Sequence, residues 1–246
     1  MTQPALHFAE IDSTNAEAMR RAAAGARGPL WIRADRQTAG KGRSGRTWAS
    51  ETGNLYASLL VTLEAPAPKA YQLSLVAGVA VYDALAGLLA DTAALKLKWP
   101  NDILIASEKA GGILIESTVL SAGEPRPLLA AVIGIGVNVA FHPDGLDRPV
   151  TSLAAHGLSV SPEALQARIA ESMETWLAVW AGGEGFPAVR EAWLTRAHPI
   201  GERMSINTGS ERVAGTFQGL DVEGGLLIDA GAEIRRFAFG DVSLVP

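Results

Sequence analysis

Two rhythms of apolar and polar positions run along this 246-residue chain, and the switches between them predict its elements. DSTNAEAMRRAAAGARG predicts a capped helix: Ser13 or Thr14 can accept from free backbone N–H groups, Glu17 lies in the first turn, and Gly25 offers a stop. PLWIRAD predicts a strand. LYASLLVTL, opened by a Gly53–Asn54 turn and ended by Pro66 and Pro68, predicts a buried one. Residues 70–90 carry apolar side chains at helical spacing, with Leu73, Val76, Ala80 and Ala84 on one side. LKLKW alternates as a strand until Pro100, Asn101 and Asp102 break it. ILIA and GGILIES then pair as a hairpin around Ser107, Glu108 and Lys109. The apolar run at 128–141 reads as a buried strand pair.

From Ser161 the spacing is helical again, through PEALQARIAESMETWLAVWAG and GFPAVREAWLTRA. Past His198 it changes to short β-like runs with glycine-bearing turns, the pattern of a small barrel. The expected division is therefore residues 1–197 and 198–246, an α+β unit followed by a β unit.

Composition narrows the function classes. A net charge of −5 argues against a general nucleic-acid binder, which needs a basic excess to neutralise phosphates. With no cysteine there are no disulfides or thiolate ligands, which fits a reducing cytoplasm. His7, His142, His156 and His198 are scattered, with no zinc spacing. The start lacks the basic and apolar regions of a signal peptide. The run at 128–141 is shorter than the ~20 residues of a membrane helix, so no membrane contact is expected.

The segment AGKGRSGRTW at 39–48 imitates two phosphate loops, the G-x-G-x-x-G of a dinucleotide fold and the G-x-x-x-x-G-K-[ST] of a triphosphatase. Both require a helix opening on the glycines. Here the glycines lead instead into a turn and a strand, and Arg46 stands where the loop lysine should. The residues still suit an anion: glycines admit backbone N–H groups, and Lys41, Arg43 and Arg46 place cations beside them.

Around this loop stand DSTN and DRQTAGKGR upstream, and KWPNDI, EKAGGILIES and VIGIGVNV downstream. Each has a local explanation, as a helix cap, a turn, a charge pair or a strand with close backbone packing. In this order and at these spacings they resemble the biotin–protein ligases, from about Phe8 to the C-terminus. The most specific part is GKGRSGRTW followed by KWPNDI and KAGGIL.

The resemblance implies a mixed-sheet catalytic domain similar to class II aminoacyl-tRNA synthetases, followed by a small SH3-like barrel. It implies formation of biotinyl-5′-AMP from biotin and Mg-ATP, then transfer of biotin to one lysine of a biotin carboxyl carrier protein. Ser13, Thr14, Asn15 and Gln37 match biotin contacts, as does Gly112; Lys41, Gly42 and Arg43 match the loop folding over biotin and the adenylate. Arg46 matches a polyphosphate contact, and Lys109 matches the family lysine that lies against the biotin carboxylate and α-phosphate. Trp48 and Asn138 match adenine contacts, and Asn101 and Asp102 match residues near the phosphates. Asp102 is expected either to hold magnesium or to accept the attacking lysine's proton. Catalysis is thus expected of Lys109, Arg43, Arg46 and Asp102.

Two departures from the family pattern stand out. Lys41 replaces the usual arginine, keeping the charge without the fork geometry. Only twelve residues precede Ser13, where some members carry a DNA-binding domain, so no DNA partner is expected. Monomer and homodimer remain open. Two other readings remain: a lipoate or octanoate ligase, which would prefer an apolar acyl channel, and a non-catalytic biotin sensor, against which Arg43, Arg46, Asp102 and Lys109 speak.

Overall fold

The computed structural model describes residues 5–64, 66–120, 128–146 and 148–245. Strand β1 (Ala5–Ile11) leads into helix α1 (Thr14–Ala23), capped as expected by the Ser13 hydroxyl, which accepts from the Ala16 N–H. Strands β2 (Leu30–Gln37) and β3 (Leu55–Glu64) come next, then helix α2 (Gln72–Ala86). The strands β4 (Leu95–Lys98), β5 (Asp102–Ile105), β6 (Glu108–Val119) and β7 (Leu128–Val137) complete one sheet. Its order is β1-β2-β3-β7-β6-β5-β4, parallel at β1–β2 and antiparallel elsewhere.

β1 is an element the sequence pattern did not disclose. It is a sheet-edge strand of partly exposed residues, so burial leaves little alternation to read. The run at 128–141 is corrected from a strand pair to the single strand β7 and a following loop. β7 lies between β3 and β6 and is covered on both faces, which is why its apolar residues do not alternate. Asn54 fixes where it ends: its Oδ1 accepts from the N–H groups of Val139, Ala140 and Phe141, and its amide donates to Phe141 O.

The helices set which half of the sheet stays open. α1 covers one face through Ala18 and Ala22 on Ile32, Leu60, Ala130 and Val132. On the other face, α2 is buried around most of its circumference, wider than the single stripe expected. It lies in one core with α3 (Pro162–Trp180) and α4 (Phe186–Arg196). Among the described residues no helix is long and apolar enough to cross a membrane.

The C-terminal strands β8 (Arg203–Asn207), β9 (Arg212–Leu220), β10 (Leu226–Asp229), β11 (Ile234–Phe237) and β12 (Asp241–Leu244) form an antiparallel sheet ordered β11-β10-β9-β8-β12. Among the described residues no pairing joins β11 to β12, so the β unit is a five-stranded sheet rather than a barrel closed by hydrogen bonds. Met204, Phe217 and Val242 join the core of the first unit, and Trp99 Nε1 donates to Gly224 O at 3.0 Å.

Asn54→Ala would strand buried backbone donors at the end of β7, at about 1–3 kcal/mol for an unsatisfied group. Chemical denaturation should show a loss of about 3 kcal/mol; a change below about 0.5 kcal/mol would refute this anchoring role.

Candidate active site

Strand register builds the floor of the site. A cross-sheet row runs Tyr56–Gly136–Gly112–Asp102–Lys98, and the next runs Ser58–Gly134–Leu114. These residues share the face that α1 covers farther along, but beyond α1 three of them are glycines. The missing side chains leave room. A Cβ on Gly134 would stand 2.3 Å from Asn15 Oδ1, and one on Gly136 would stand 2.8 Å from the Trp48 ring. Over this floor lies a cavity of about 330 Å³, within the usual range for a small-ligand site.

One end of the cavity is polar and uncharged at its lining. The Thr14 N–H and hydroxyl donate to Gln37 Oε1 at 2.9 and 3.1 Å, and Gln37 Nε2 donates to Ser50 Oγ at 3.0 Å. Ser58 Oγ lies 2.8 Å from Thr14 Oγ1 and 2.6 Å from Asn15 Oδ1, while Asn15 Nδ2 donates to Glu116 at 2.7 Å. Ser13, Thr14 and Asn15 are buried at the start of α1. Their donors and acceptors are thus held in fixed directions, as recognition of a neutral hydrogen-bonding head requires.

The other end is charged. β6 carries an extra residue where Ile103 pairs with Gly111 but Leu104 pairs with Lys109. This bulge at Ala110 turns Lys109 onto the same face as Gly112 and Asp102. The Asp102 carboxylate is shared: one oxygen meets Lys109 Nζ, and the other lies 3.0 Å from Lys98 Nζ. Burial alone would raise the Asp102 pKa, but the fields and hydrogen bonds of Lys109 and Lys98 outweigh it and hold the carboxyl below its ordinary value. Burial pulls the Lys109 pKa down, helped by Arg148 and Lys98 and opposed by Asp102. Lys109 Nζ also stands 5.4 Å from the Trp48 ring centre.

The 39–48 loop closes over this end. Gly42 N donates to Arg46 O at 2.7 Å, and Trp48 N donates to Gly40 O at 3.0 Å. Arg43 reaches Asn101 Oδ1 at 3.1 Å and Gly240 O at 3.2 Å, and Arg46 meets Asp241 at 2.8 Å. Burial lowers the Arg43 pKa from its ordinary value, against the pull of Asp241 and Asp102. The C-terminal sheet therefore forms one wall.

The amino-acid sequence matches the biotin/lipoate A/B protein ligase pattern over residues 8–138 and the biotin protein ligase C-terminal domain over 200–245. A biotin–[acetyl-CoA-carboxylase] ligase of Paracoccus denitrificans is 39% identical over 227 residues, covering 90% of this chain and 92% of that one. The chain belongs to the biotin/lipoate protein ligase family. The Mycobacterium tuberculosis enzyme of the same name is 34% identical over 241 residues, covering 95% and 86%. A structure of the Aquifex aeolicus biotin protein ligase in complex with biotin and ATP superposes with a TM-score of 0.80 at 27% identity, covering 99% of both chains.

In this ligase-family chain, Ser13, Thr14, Asn15, Gln37, Lys41, Gly42, Arg43, Arg46, Trp48, Asn101, Asp102, Lys109 and Gly112 all line the one cavity. Asn138 does not. It is buried behind the wall, with its N–H on Ala110 O and its amide on Thr151 O at 2.9 Å. Sequence reasoning missed Lys98, Arg148, Arg212 and Asp241, which also line the cavity. Lys98 was legible as the alternate residue of KLK before the Pro-Asn-Asp break; the other three carry no local pattern.

Asp102→Asn would leave two ammonium groups without their shared carboxylate, a buried-pair break costing about 3–5 kcal/mol. Because the folded-state carboxyl is shifted down, its stabilisation is complete above the unfolded pKa and is lost as pH falls through the folded one. Wild type should therefore lose stability from about pH 5 downward by a component that Asp102→Asn lacks; parallel pH–stability curves would disprove the pairing.

Proposed function

We propose that this ligase joins biotin to ATP as biotinyl-5′-AMP and passes the biotinyl group to a lysine of a biotin carboxyl carrier protein. The observation that carries this reading is the cavity's two-ended character. A neutral polar end suits the ureido head of biotin. The rest of the lining gathers Lys41, Arg43, Arg46, Lys98, Lys109, Arg148 and Arg212, against Asp102 and Asp241 as the carboxylates among the described residues. A chain of net charge −5 has thus concentrated cations where a nucleotide polyphosphate would lie.

In the first step a carboxylate oxygen of biotin bonds to the α-phosphorus while the bond to the β-phosphate bridge breaks, releasing pyrophosphate. Two anions must meet. Lys109 sits where it can touch both, held there by Asp102, while Arg43 and Arg46 meet charge developing on the phosphoryl oxygens and departing pyrophosphate. In the second step the carrier lysine's nitrogen attacks the acyl carbon, the acyl–oxygen bond to AMP breaks, and a proton is released. The same cations stabilise departing AMP.

Both Asp102 oxygens face ammonium groups in this structure, so of the two roles expected of it proton acceptance fits less well, while helping to hold magnesium needs only one carboxylate beside the nucleotide phosphates. Magnesium would reach the site with the nucleotide. A carboxyl whose pKa is held low is also a weak base. Asp102 is best placed to position Lys109 and Lys98. Trp48, over the glycine floor, offers a flat face for adenine, and Asn138 acts through the 148–153 segment it anchors.

Incubation with ATP, magnesium, labelled biotin and apo carrier protein should place label on the carrier. Transfer of lipoate but not biotin would overturn the reading, and tight biotin binding without any adenylate would mark a sensor. Lys109→Ala should keep biotin affinity within a few-fold but lose about 10²–10³ in the rate of adenylate formation. A wild-type burst of biotinyl-AMP in that variant would remove Lys109 from the chemistry.

A further inference from the structure

Arg148 is the outlier among the cavity's cations. Arg43 is bonded to Asn101 and Gly240, Arg46 to Asp241, and Lys98 and Lys109 to Asp102. Lys41 and Arg212 are solvent-exposed. Arg148 is partly buried, its Nε is buried without a hydrogen-bond partner, and among the described residues no carboxylate pairs with it. A charged donor stripped of water and given no acceptor is costly unless a ligand supplies one.

Its backbone is fixed beside Lys109. Lys109 N donates to Pro149 O at 3.0 Å, Thr151 N donates to Lys109 O at 2.9 Å, and Val150 pairs with Lys109 in a parallel bridge. Asn138 secures the same segment through Thr151 O and the Leu153 N–H. Arg148 therefore projects from a rigid strap into the cavity wall beside the residue that must touch both reactants.

We propose that Arg148 grips the α-phosphate of the nucleotide, and the acyl phosphate made from it, as a further catalytic residue of this site. The inference rests on the ligase reading above. The charge that persists through the reaction favours this ligand. Biotin's carboxylate and the α-phosphate would each bring a negative charge to the cations that line the cavity around Asp102. The carboxylate's charge is lost on acylation, whereas the phosphate stays anionic through both steps and presents paired oxygens to a guanidinium edge. The field of Arg148 also lowers the Lys109 pKa in the empty site, so the two cations are neighbours that an anion would relieve.

The test uses the full chain with Arg148→Met and Arg148→Lys, single-turnover formation of biotinyl-AMP, and separate titrations of biotin and AMP. Arg148→Met should slow adenylate formation about 100-fold and weaken AMP about 10-fold, with biotin alone bound within about 2-fold of wild type. Arg148→Lys should regain part of the AMP affinity and less of the rate, since the charge returns without the fork. The alkaline limb of the rate profile should move to higher pH in Arg148→Met, which a merely structural residue would not cause. A rate within about 3-fold of wild type, or biotin affinity falling in step with the rate, overturns the proposal. Should Arg148→Met fail to fold, unchanged AMP binding and rate in Arg148→Lys overturn it equally. If wild type itself makes no adenylate, the ligase reading fails instead; an active wild type with indifferent variants overturns only the role of Arg148.

Discussion

The shared Asp102 carboxylate is the contact on which the site depends. It binds Lys98, its cross-strand partner on β4, and Lys109, which the bulge of β6 brings onto the same face one row away, so a single side chain fixes two cations. Such a buried pair is not a strong source of stability, because desolvation offsets much of the attraction. Its contribution is position. Lys109 can face Asp102 only because the bulge at Ala110 reverses the strand's alternation, and Gly112, on the same face, leaves the space the lysine occupies: a Cβ there would lie 3.1 Å from its Nζ.

The site also explains why the two units are built as one body. Arg43 and Arg46 belong to the 39–48 loop, yet their partners Gly240 and Asp241 lie at the entrance to β12, while Lys98 donates to Val242 O at 3.0 Å. Trp99, next to Lys98, reaches Gly224 on the β9–β10 turn. The C-terminal sheet thus orients the cations that the first unit supplies, and the shared apolar core keeps that registration. A mobile interface would let the loop arginines drift from Asn101 and lose the prealigned field that phosphoryl transfer demands.

Much of this was legible in the residues because it is local chemistry. The helix cap at Ser13, the hairpin before Lys109, the helices after Ser161 and the late β runs each arise from short-range signals. The loop cations were legible too, since strand β3 rather than a helix comes after them. The features that escaped are set by tertiary position. β1 lies at an edge, β7 is central enough to lose its alternation, and α2 is apolar around most of its surface. The bulge, the three-way acceptance by Asn54 and the inward turn of Arg148 depend on partners far away in sequence. Asn138 marks the same limit: its spacing in GIGVN places it near the site, but its side chain supports the wall from behind.

Lys41 shows how structure reinterprets a sequence departure. Where the family loop usually carries arginine, the structure uses this position mainly through its backbone, pairing Lys41 with Thr47 to close the turn around Arg43–Gly45. Its side chain is exposed, and among the described residues it has no hydrogen bond or ion pair. The forks that matter geometrically are those of Arg43 and Arg46, which are anchored on the opposite unit. A lysine at position 41 keeps a positive charge on the cavity lining and gives up the fork geometry of a guanidinium. The loop's cations are therefore held unequally: the guanidinium groups of Arg43 and Arg46 are tied to the second unit, while the Lys41 side chain stays free at the edge of the cavity for an incoming anion to meet.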